Sequence, residues 1–255
     1  MAGTATTSSS IAEWIRPGPI WTDTAKYVKT LDGAKDTLEG FINIFDWMAH
    51  LGFEKEFAET ASHDLEPVKQ TLAIPGFIES LGTMKNKWSV WNNSDDPDAF
   101  TDLTTSVAVS TLKFSESAMA VDSWGICALK DWMRAAKTGF WASAGLIDGI
   151  NFFREISKAE NLQKKVDGTH SPEMKNVYQH KIQLCYLNVI KATTTIAMAT
   201  IALISLFFAS VAHGFLFSPG VFLTLTSAWL ILTYATHFYG KIIDRWEQKV
   251  PIGNI

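Results

Sequence analysis

The side chains that could act as nucleophiles or metal ligands are few in this chain and lie far apart. Its six histidines, at 50, 63, 170, 180, 213 and 237, include no pair with metal-binding spacing and a third ligand nearby. The only cysteines are Cys127 and Cys185, and Cys127 lies in an apolar patch where a buried thiol is commoner than a nucleophile. The motifs GxGxxG, GxxxxGK[ST], HExxH and GxSxG do not occur. We therefore expect no enzyme activity, no cofactor and no bound metal.

Two carboxylates are placed where burial could change their chemistry. Asp122 and Asp148 each interrupt an apolar stretch of sequence. A buried carboxyl group can carry a raised pKa and serve as an acid or base. The simpler interpretation, which we favour, is a satisfied hydrogen bond or an ion pair to Lys130 or Arg134.

Composition limits the classes of protein to which the chain can belong. Of its 255 residues, 47% are hydrophobic and 19% are charged, and the formal net charge is −4. This apolar content excludes global disorder, and two cysteines exclude a disulfide scaffold. A negative net charge argues against nucleic acid as the main partner. The length allows one large domain or two small ones.

The most informative feature is a gap in the charge pattern. Between Lys191 and Lys241 there are 49 consecutive residues without Asp, Glu, Lys or Arg. A helix needs about 20 apolar residues to cross the hydrocarbon core of a membrane. The gap predicts two transmembrane helices, at 192–212 and 219–239, with Gly214, Pro219 and Gly220 as breakers in the turn between them. The alternative is a hairpin buried in a soluble core, although such helices are usually shorter and carry a polar face.

Basic residues flank the hairpin on both sides, and the turn has none. Positive flanks remain on the cytoplasmic side of a membrane. We therefore expect both termini on that side and the turn on the other. The flanking charges are Lys181, Lys191, Lys241, Arg245 and Lys249.

The rest of the chain is expected to be helical, which makes the protein all-α. Residues 1–22 are predicted to be a disordered leader without a signal peptide, because they contain no apolar run of signal-peptide length. Residues 23–190 are predicted to form an amphipathic helical domain, with the clearest loop near 91–99. The hairpin then occupies 191–241, and a short polar tail follows at 242–255.

The first part of that domain carries an amphipathic stripe. In residues 23–52, apolar residues recur at spacings of three, four or seven. Thr30 or Asp32 could cap a helix that starts near Gly33, so the pattern allows either one helix or two.

Residues 138–153 are apolar except for Asp148, yet too short to cross a membrane. One interpretation is a segment at the membrane interface or a re-entrant segment. We favour a helix that packs closely on its neighbours through small residues, which let two backbones approach. These residues are Gly139, Ala142, Gly145 and Gly149.

Two spans with the turn HGFLFSPG, after a long amphipathic part, resemble the bilobed hydrophobic domain of chlamydial inclusion-membrane proteins. The Ser/Thr-rich start, MAGTATTSSS, is similar to a type III secretion leader. This resemblance implies a secreted effector in a host-derived vacuole membrane, with both termini in the host cytosol.

A second resemblance is local. The stretch YVKTLDGAKDTLEGFINIFDWMAHL (27–51) is similar to the opening of peroxisomal membrane-elongation proteins of the peroxin-11 type. Gly33, Asp36 and Leu38 fit that pattern, whereas Ala34 and Lys35 stand where the family prefers Arg-Asp. The family's remodelling helices are basic and this one is acidic, so anionic lipid repels it and packing against protein is favoured.

Together these features predict an integral membrane protein with a structural or interaction role. Its expected partners are the lipid bilayer and a protein, or a second copy, bound through the N-terminal helices. The alternatives are membrane remodelling by amphipathic helices and a small oligomeric channel or transporter. The expected location is an inclusion or peroxisomal membrane.

Overall fold

The computed structural model of the protein describes residues 17–94, 96–126, 132–208 and 218–249. Within these ranges the chain is helical and has no β-strand, so the prediction of an all-α fold is confirmed. The helices of these ranges are α1 (Pro17–Val28), α2 (Leu31–His50), α3 (Lys55–Thr71), α4 (Ala73–Asn93), α5 (Pro97–Ser123), α6 (Met133–Gly168), α7 (Pro172–Phe207) and α8 (Pro219–Lys249).

The amphipathic stripe of residues 23–52 is divided between two helices. The hydroxyl oxygen of Thr30 accepts a hydrogen bond from the Gly33 N–H at 3.0 Å and so caps the start of α2. Gly33 has to be a glycine here, because a Cβ would lie 1.9 Å from the carbonyl oxygen of Tyr27. The first helix begins at Pro17, so the last residues of the predicted 1–22 leader are helical.

The longest helices, α6 and α7, form an antiparallel pair joined by residues 169–171. Ser171 caps α7 by accepting a hydrogen bond from the Met174 N–H at 3.3 Å, and Pro172 follows as the first helical residue. Because α7 runs without a break from Pro172 to Phe207, the predicted boundary between domain and hairpin at 190 and 191 lies inside one helix. The predicted loop at 91–99 is likewise shorter, since α4 ends at Asn93 and α5 begins at Pro97.

The helices pack as a connected series in which α7 is central. It lies between α6 and α8, while α5 packs on α6 and α4 packs on α5. On the other side, α2 packs against α8 and α3 packs against α2. Helices α1 to α5 therefore contact the rest of the molecule twice, through α2 on α8 and through α5 on α6, and do not form a separate body.

Residues 138–153 lie within α6, and two of the four small residues expected to pack do so. A Cβ at Gly139 would lie 2.8 Å from the Ser115 Oγ, and one at Gly145 would lie 3.2 Å from the Ala199 Cβ. Ala142 is exposed, and a Cβ at Gly149 would meet no described heavy atom within 4 Å. Ser143 and Ala144, which are buried, mark the contact face of the helix at this level, and Ala142 lies beside that face.

Replacement of Gly139 by leucine should destabilise the fold, while the same change at Gly149 should not. We expect Gly139→Leu to cost about 1–3 kcal/mol, because the larger side chain would force α5 and α6 apart. Gly149→Leu should be neutral or gain up to about 1 kcal/mol, because leucine favours the helix more than glycine does. Denaturant unfolding of the two variants would measure this, and equal losses would contradict the packing of α5 on α6 described above.

Candidate membrane-facing surface

The two helices of the predicted hairpin are long and apolar enough to cross a membrane. Only 22% of the residues in the most apolar stretch of each helix are buried, whereas the core helix of a soluble protein is mostly buried. Several large apolar side chains on α7 and α8 are more than half exposed: Tyr186, Ile190, Phe207 and Ile231. The hairpin thus presents an extended apolar surface.

Several of the residues buried between the hairpin and its neighbours are small. Ala192, Thr195 and Ala199 are buried on α7 and Thr233 and Thr236 on α8, beside the larger Met198, Leu223 and Leu230. Small residues between helices with large apolar residues outside are typical of helices packed in lipid. Lipid solvates the large side chains, while the small ones allow the backbones to approach. We therefore treat the outer face of α7 and α8 as the candidate functional surface.

Side-chain contacts join α7 to α8 along most of their length. The His180 Nδ1 lies 2.6 Å from the Tyr239 hydroxyl, and the Thr226 hydroxyl lies 3.7 Å from the Met198 Sδ. These contacts place the start of α7 beside the end of α8. The two helices are therefore antiparallel, as the sequence predicted for the hairpin.

The five predicted flanking charges differ in their surroundings. Lys181 donates a hydrogen bond to Glu247 at 2.6 Å, Arg245 pairs with Asp23, and Lys241 is exposed. The Lys249 side chain lies outside the described residues. Lys191 differs from the position expected of a flank, since its ammonium nitrogen lies 5.9 Å from the centre of the Trp229 ring, near the middle of the predicted second span.

The three predicted turn residues also occupy different positions. Gly214 lies outside the described residues. Pro219 is the first residue of α8 and Gly220 the second, so neither belongs to the turn itself. Gly220 serves a close approach instead, because a Cβ there would lie 3.2 Å from the His50 Nε2.

Near the end of α2, neutral polar groups contact α8. The Trp47 indole N–H donates to the Ser227 hydroxyl oxygen at 2.8 Å, and that hydroxyl lies 2.8 Å from the Asn43 Oδ1. The Asn43 Nδ2 is buried and has no hydrogen-bond partner among the described residues. The contact therefore links α2 to the middle of the predicted second span through an incompletely satisfied polar group.

The preceding helix, α1, extends the same contact toward the end of α8. The Tyr27 ring lies with its centre 4.1 Å from that of His237 and 6.0 Å from that of Tyr234. Beyond it, Asp23 forms an ion pair with Arg245. Helices α1 and α2 together therefore follow α8 from Arg245 to Gly220.

The charged residues of α2 have partners on other helices. Glu39 pairs with Lys69 on α3, and Asp46 accepts a hydrogen bond from Ser62, which also lies on α3. Lys35 reaches α5, where its ammonium lies 2.6 Å from a Glu116 carboxylate oxygen. The side chains of α2 that contact α8 are thus neutral, while its charged side chains contact α3 and α5.

The Lys35–Glu116 ion pair is almost enclosed by protein. The two side chains are only 14% and 7% exposed. Burial lowers the pKa of Lys35, and the carboxylate of Glu116 offsets this only in part. An ion pair in such a place is costly to desolvate and costlier to break, because a lone buried charge would remain.

A second polar contact connects α1 to α2. The Tyr27 hydroxyl donates a hydrogen bond to the Asp36 carboxylate. Burial raises the pKa of Asp36, although the bond from Tyr27 and the charge of Lys191 oppose the change. Burial and the same carboxylate raise the pKa of Tyr27, so the phenol keeps its proton and remains a donor at neutral pH.

The residues singled out for chemistry do not come together in the described part of the chain. Asp148 is half-buried and accepts a hydrogen bond from Asn151 at 3.1 Å, while Arg134 donates to the Leu206 carbonyl instead. Lys130 and Cys127 lie outside the described residues, and Cys185 is a buried free thiol. The described residues contain no cluster of three or more potential metal ligands.

The contact of α2 with α8 was not foreseen from the sequence. Its signal was present, since Asn43 interrupts the apolar stripe of α2 and Ser227 interrupts an apolar span. Either residue alone is unremarkable, because a serine can bond to its own helix and an asparagine can face water. Only the folded structure shows that these two side chains form a hydrogen bond between α2 and α8.

No protein-family model, curated protein sequence or solved structure matches this chain. Its function must therefore be inferred from its own residues and contacts.

Removal of the Glu116 carboxylate should strongly destabilise the fold. Glu116→Leu would leave the Lys35 ammonium buried without a partner, at a cost of about 3–5 kcal/mol in unfolding free energy. The double variant Lys35→Met/Glu116→Leu should recover most of that loss, because no lone charge remains. Lys55→Met, in the exposed pair with Glu59, is the matched control and should change stability by less than about 1 kcal/mol. Denaturant unfolding is the measurement, and a double variant as unstable as Glu116→Leu would contradict this account.

Proposed function

We propose that this protein is a membrane-anchored structural or interaction protein, held in the bilayer by α7 and α8. The observation that carries the proposal is the exposed apolar surface of two helices that are long and apolar enough to cross a membrane, with only 22% of each helix's most apolar stretch buried. In water such a surface would be a liability, because exposed apolar patches of this kind promote association. In lipid it is the stable arrangement.

The topology that we propose places both termini on the cytoplasmic side. The hairpin brings the start of α7 and the end of α8 together, so that Lys181, Lys241 and Arg245 lie toward one end. Basic residues at one end of a hairpin favour retention of that end in the cytoplasm. With the resemblance to inclusion-membrane proteins, this supports an effector in a host-derived vacuole membrane that displays its N-terminal helices to the cytosol.

The displayed helices carry surfaces suited to a protein partner or to self-association. Large apolar side chains are exposed on α2, on α3 and in the link between them: Phe41, Ile44, Leu51, Phe53 and Phe57. A large exposed apolar patch commonly marks a site of protein interaction. The acidic charge of this region favours a protein over an anionic lipid.

A pair of isoleucine variants tests the anchor directly. Ile231 is 68% exposed in the middle of the second span, and Ile78 on α4 is 67% exposed. Arginine in place of Ile231 should oppose insertion by about 2.5–3.5 kcal/mol, roughly 60- to 300-fold in equilibrium. Arginine in place of Ile78 should leave insertion unchanged, because that residue lies outside the hairpin.

The measurement is the fraction of full-length protein that stays with membranes after an alkaline wash. Terminal tags, tested for protease access in sealed membranes, report the sides of the two ends. Retention of the wild type and of Ile78→Arg but not of Ile231→Arg, with both tags on one side, is the expected result. Release of the wild type, or equal retention of both variants, would reject the anchor.

Membrane remodelling is a second candidate, favoured by the outer face of α4 and α5. This face carries the ring pairs Phe77–Phe114 and Trp91–Phe100, with centres 5.4 and 6.3 Å apart. Ile78, Leu81 and Trp88 are exposed beside them. Aromatic and aliphatic side chains on one side of a helix can enter the membrane interface and displace lipid.

If α4 and α5 remodel membranes, the full-length protein should tubulate vesicles and Ile78→Arg should abolish tubulation without loss of anchoring. The control is Val68→Arg, at an exposed apolar residue of α3, and it should tubulate as the wild type does. Electron microscopy of reconstituted vesicles is the measurement. Absence of tubules with the wild type, or equal loss in both variants, would leave anchoring as the function.

The described span residues offer less support for a channel. The hydroxyls of Thr193, Thr194 and Thr200 on α7 donate to carbonyls of their own helix, four residues earlier. Hydroxyls committed in this way are weak candidates for lining a pore.

A further inference from the structure

The N-terminal helices contact α8 at four successive levels. Asp23 pairs with Arg245, Tyr27 packs on His237, Trp47 donates to Ser227, and His50 lies against Gly220. These levels cover the whole of the predicted second span, 219–239. We call α1, α2 and α3 the cover, because the first two lie on this face of α8 and the third lies on α2.

The third helix of the cover lies at the depth of the span. Phe45 and Asp46 of α2 contact Phe57 and Ser62 of α3, beside the residues that reach Ser227. The outer side of α3 is charged and exposed at Lys55, Glu59, His63 and Asp64. If α8 crossed a bilayer with the cover in place, these charges would lie in or near hydrocarbon, where they are strongly disfavoured.

The covered arrangement and the inserted one therefore exclude each other. We propose that the cover masks one face of α8 before membrane entry and separates from it when the hairpin inserts. This inference rests on the proposed function, since it assumes that α7 and α8 enter a membrane. It makes the N-terminal helices an autoinhibitory contact as well as the displayed domain.

The chemistry of the contact suits separation. Between α2 and α8 the hydrogen bonds run among neutral groups, and Asn43 leaves a buried amide nitrogen without a described partner. A contact with an unsatisfied group is weaker than one fully paired. The charges of Glu39 and Asp46 have partners on α3 and that of Lys35 has its partner on α5, so α8 can part from the cover without breaking any of these bonds.

A removable crosslink between α2 and α8 tests the proposal. Ser227 and Asn43 approach through side-chain oxygens 2.8 Å apart, so thiols at Asn43→Cys and Ser227→Cys lie within reach of a short bis-methanethiosulfonate reagent, which joins them through two reducible disulfides. The background carries Cys127→Ser and Cys185→Ala, so that these two are the only thiols. The full-length protein is crosslinked, mixed with phosphatidylcholine vesicles and washed at alkaline pH.

The expected result is loss of wash-resistant insertion in the crosslinked protein and its recovery after reduction. The matched control joins α2 to α3 with the same reagent through Phe45→Cys and Phe57→Cys, whose native rings have centres 5.8 Å apart. This crosslink leaves α8 free, so its crosslinked and reduced forms should insert equally. Insertion of the crosslinked Asn43–Ser227 variant as fully as its reduced form would overturn the proposal, and so would failure of the reagent to join these two thiols in water.

A charge change provides a second, independent readout. Asp23→Lys would repel Arg245 and weaken the cover, so it should insert faster than the wild type, whereas Asp64→Lys on the outer side of α3 should not. Equal rates for both variants would count against the cover. If neither the reduced double-cysteine variant nor the wild type inserts at all, the anchor itself is wrong and the cover falls with it.

Discussion

The exposed apolar surface of α7 and α8 is the constraint on which the rest of the structure depends. Each of Ile190, Phe207 and Ile231 is more than half exposed on this helix pair, and covering such apolar side chains lowers the free energy of the structure. Lipid, other helices of the same chain and a partner are the available covers. The remaining helices of the chain cover part of the apolar surface of α7 and α8 and leave the rest exposed.

Helix α2 meets this constraint by being different on its two sides. Toward α8 it presents Asn43 and Trp47, which hydrogen-bond without carrying charge. Toward α3 and α5 it presents Glu39, Asp46 and Lys35, each with a partner. A single amphipathic helix can therefore join an apolar hairpin to a helix whose outer side is charged. The same division explains how an acidic helix can lie on an apolar one without burying a lone charge.

Continuity of the long helices shapes the molecule as strongly as the apolar surface does. Because α7 extends from Pro172 to Phe207, any movement of the span is transmitted to the segment that packs on the end of α8 and on α6. The predicted first span and the residues before it therefore belong to one continuous helix, packed on α6 and on the end of α8.

The sequence by itself determined the helical class, the two long apolar helices and the local helix start at Thr30. These features depend on neighbouring residues: spacing of apolar positions, length of an uncharged run, and capping within one turn. It did not determine which small residues of α6 form the contact, because Gly139 and Gly149 look alike until α5 is in place. Nor did it show that Asn43 meets Ser227, that Lys35 meets Glu116, or that Asp23 meets Arg245, since these partners are far apart along the chain. Periodicity reveals that a helix has a face to bury, but only the tertiary structure decides which distant helix covers it.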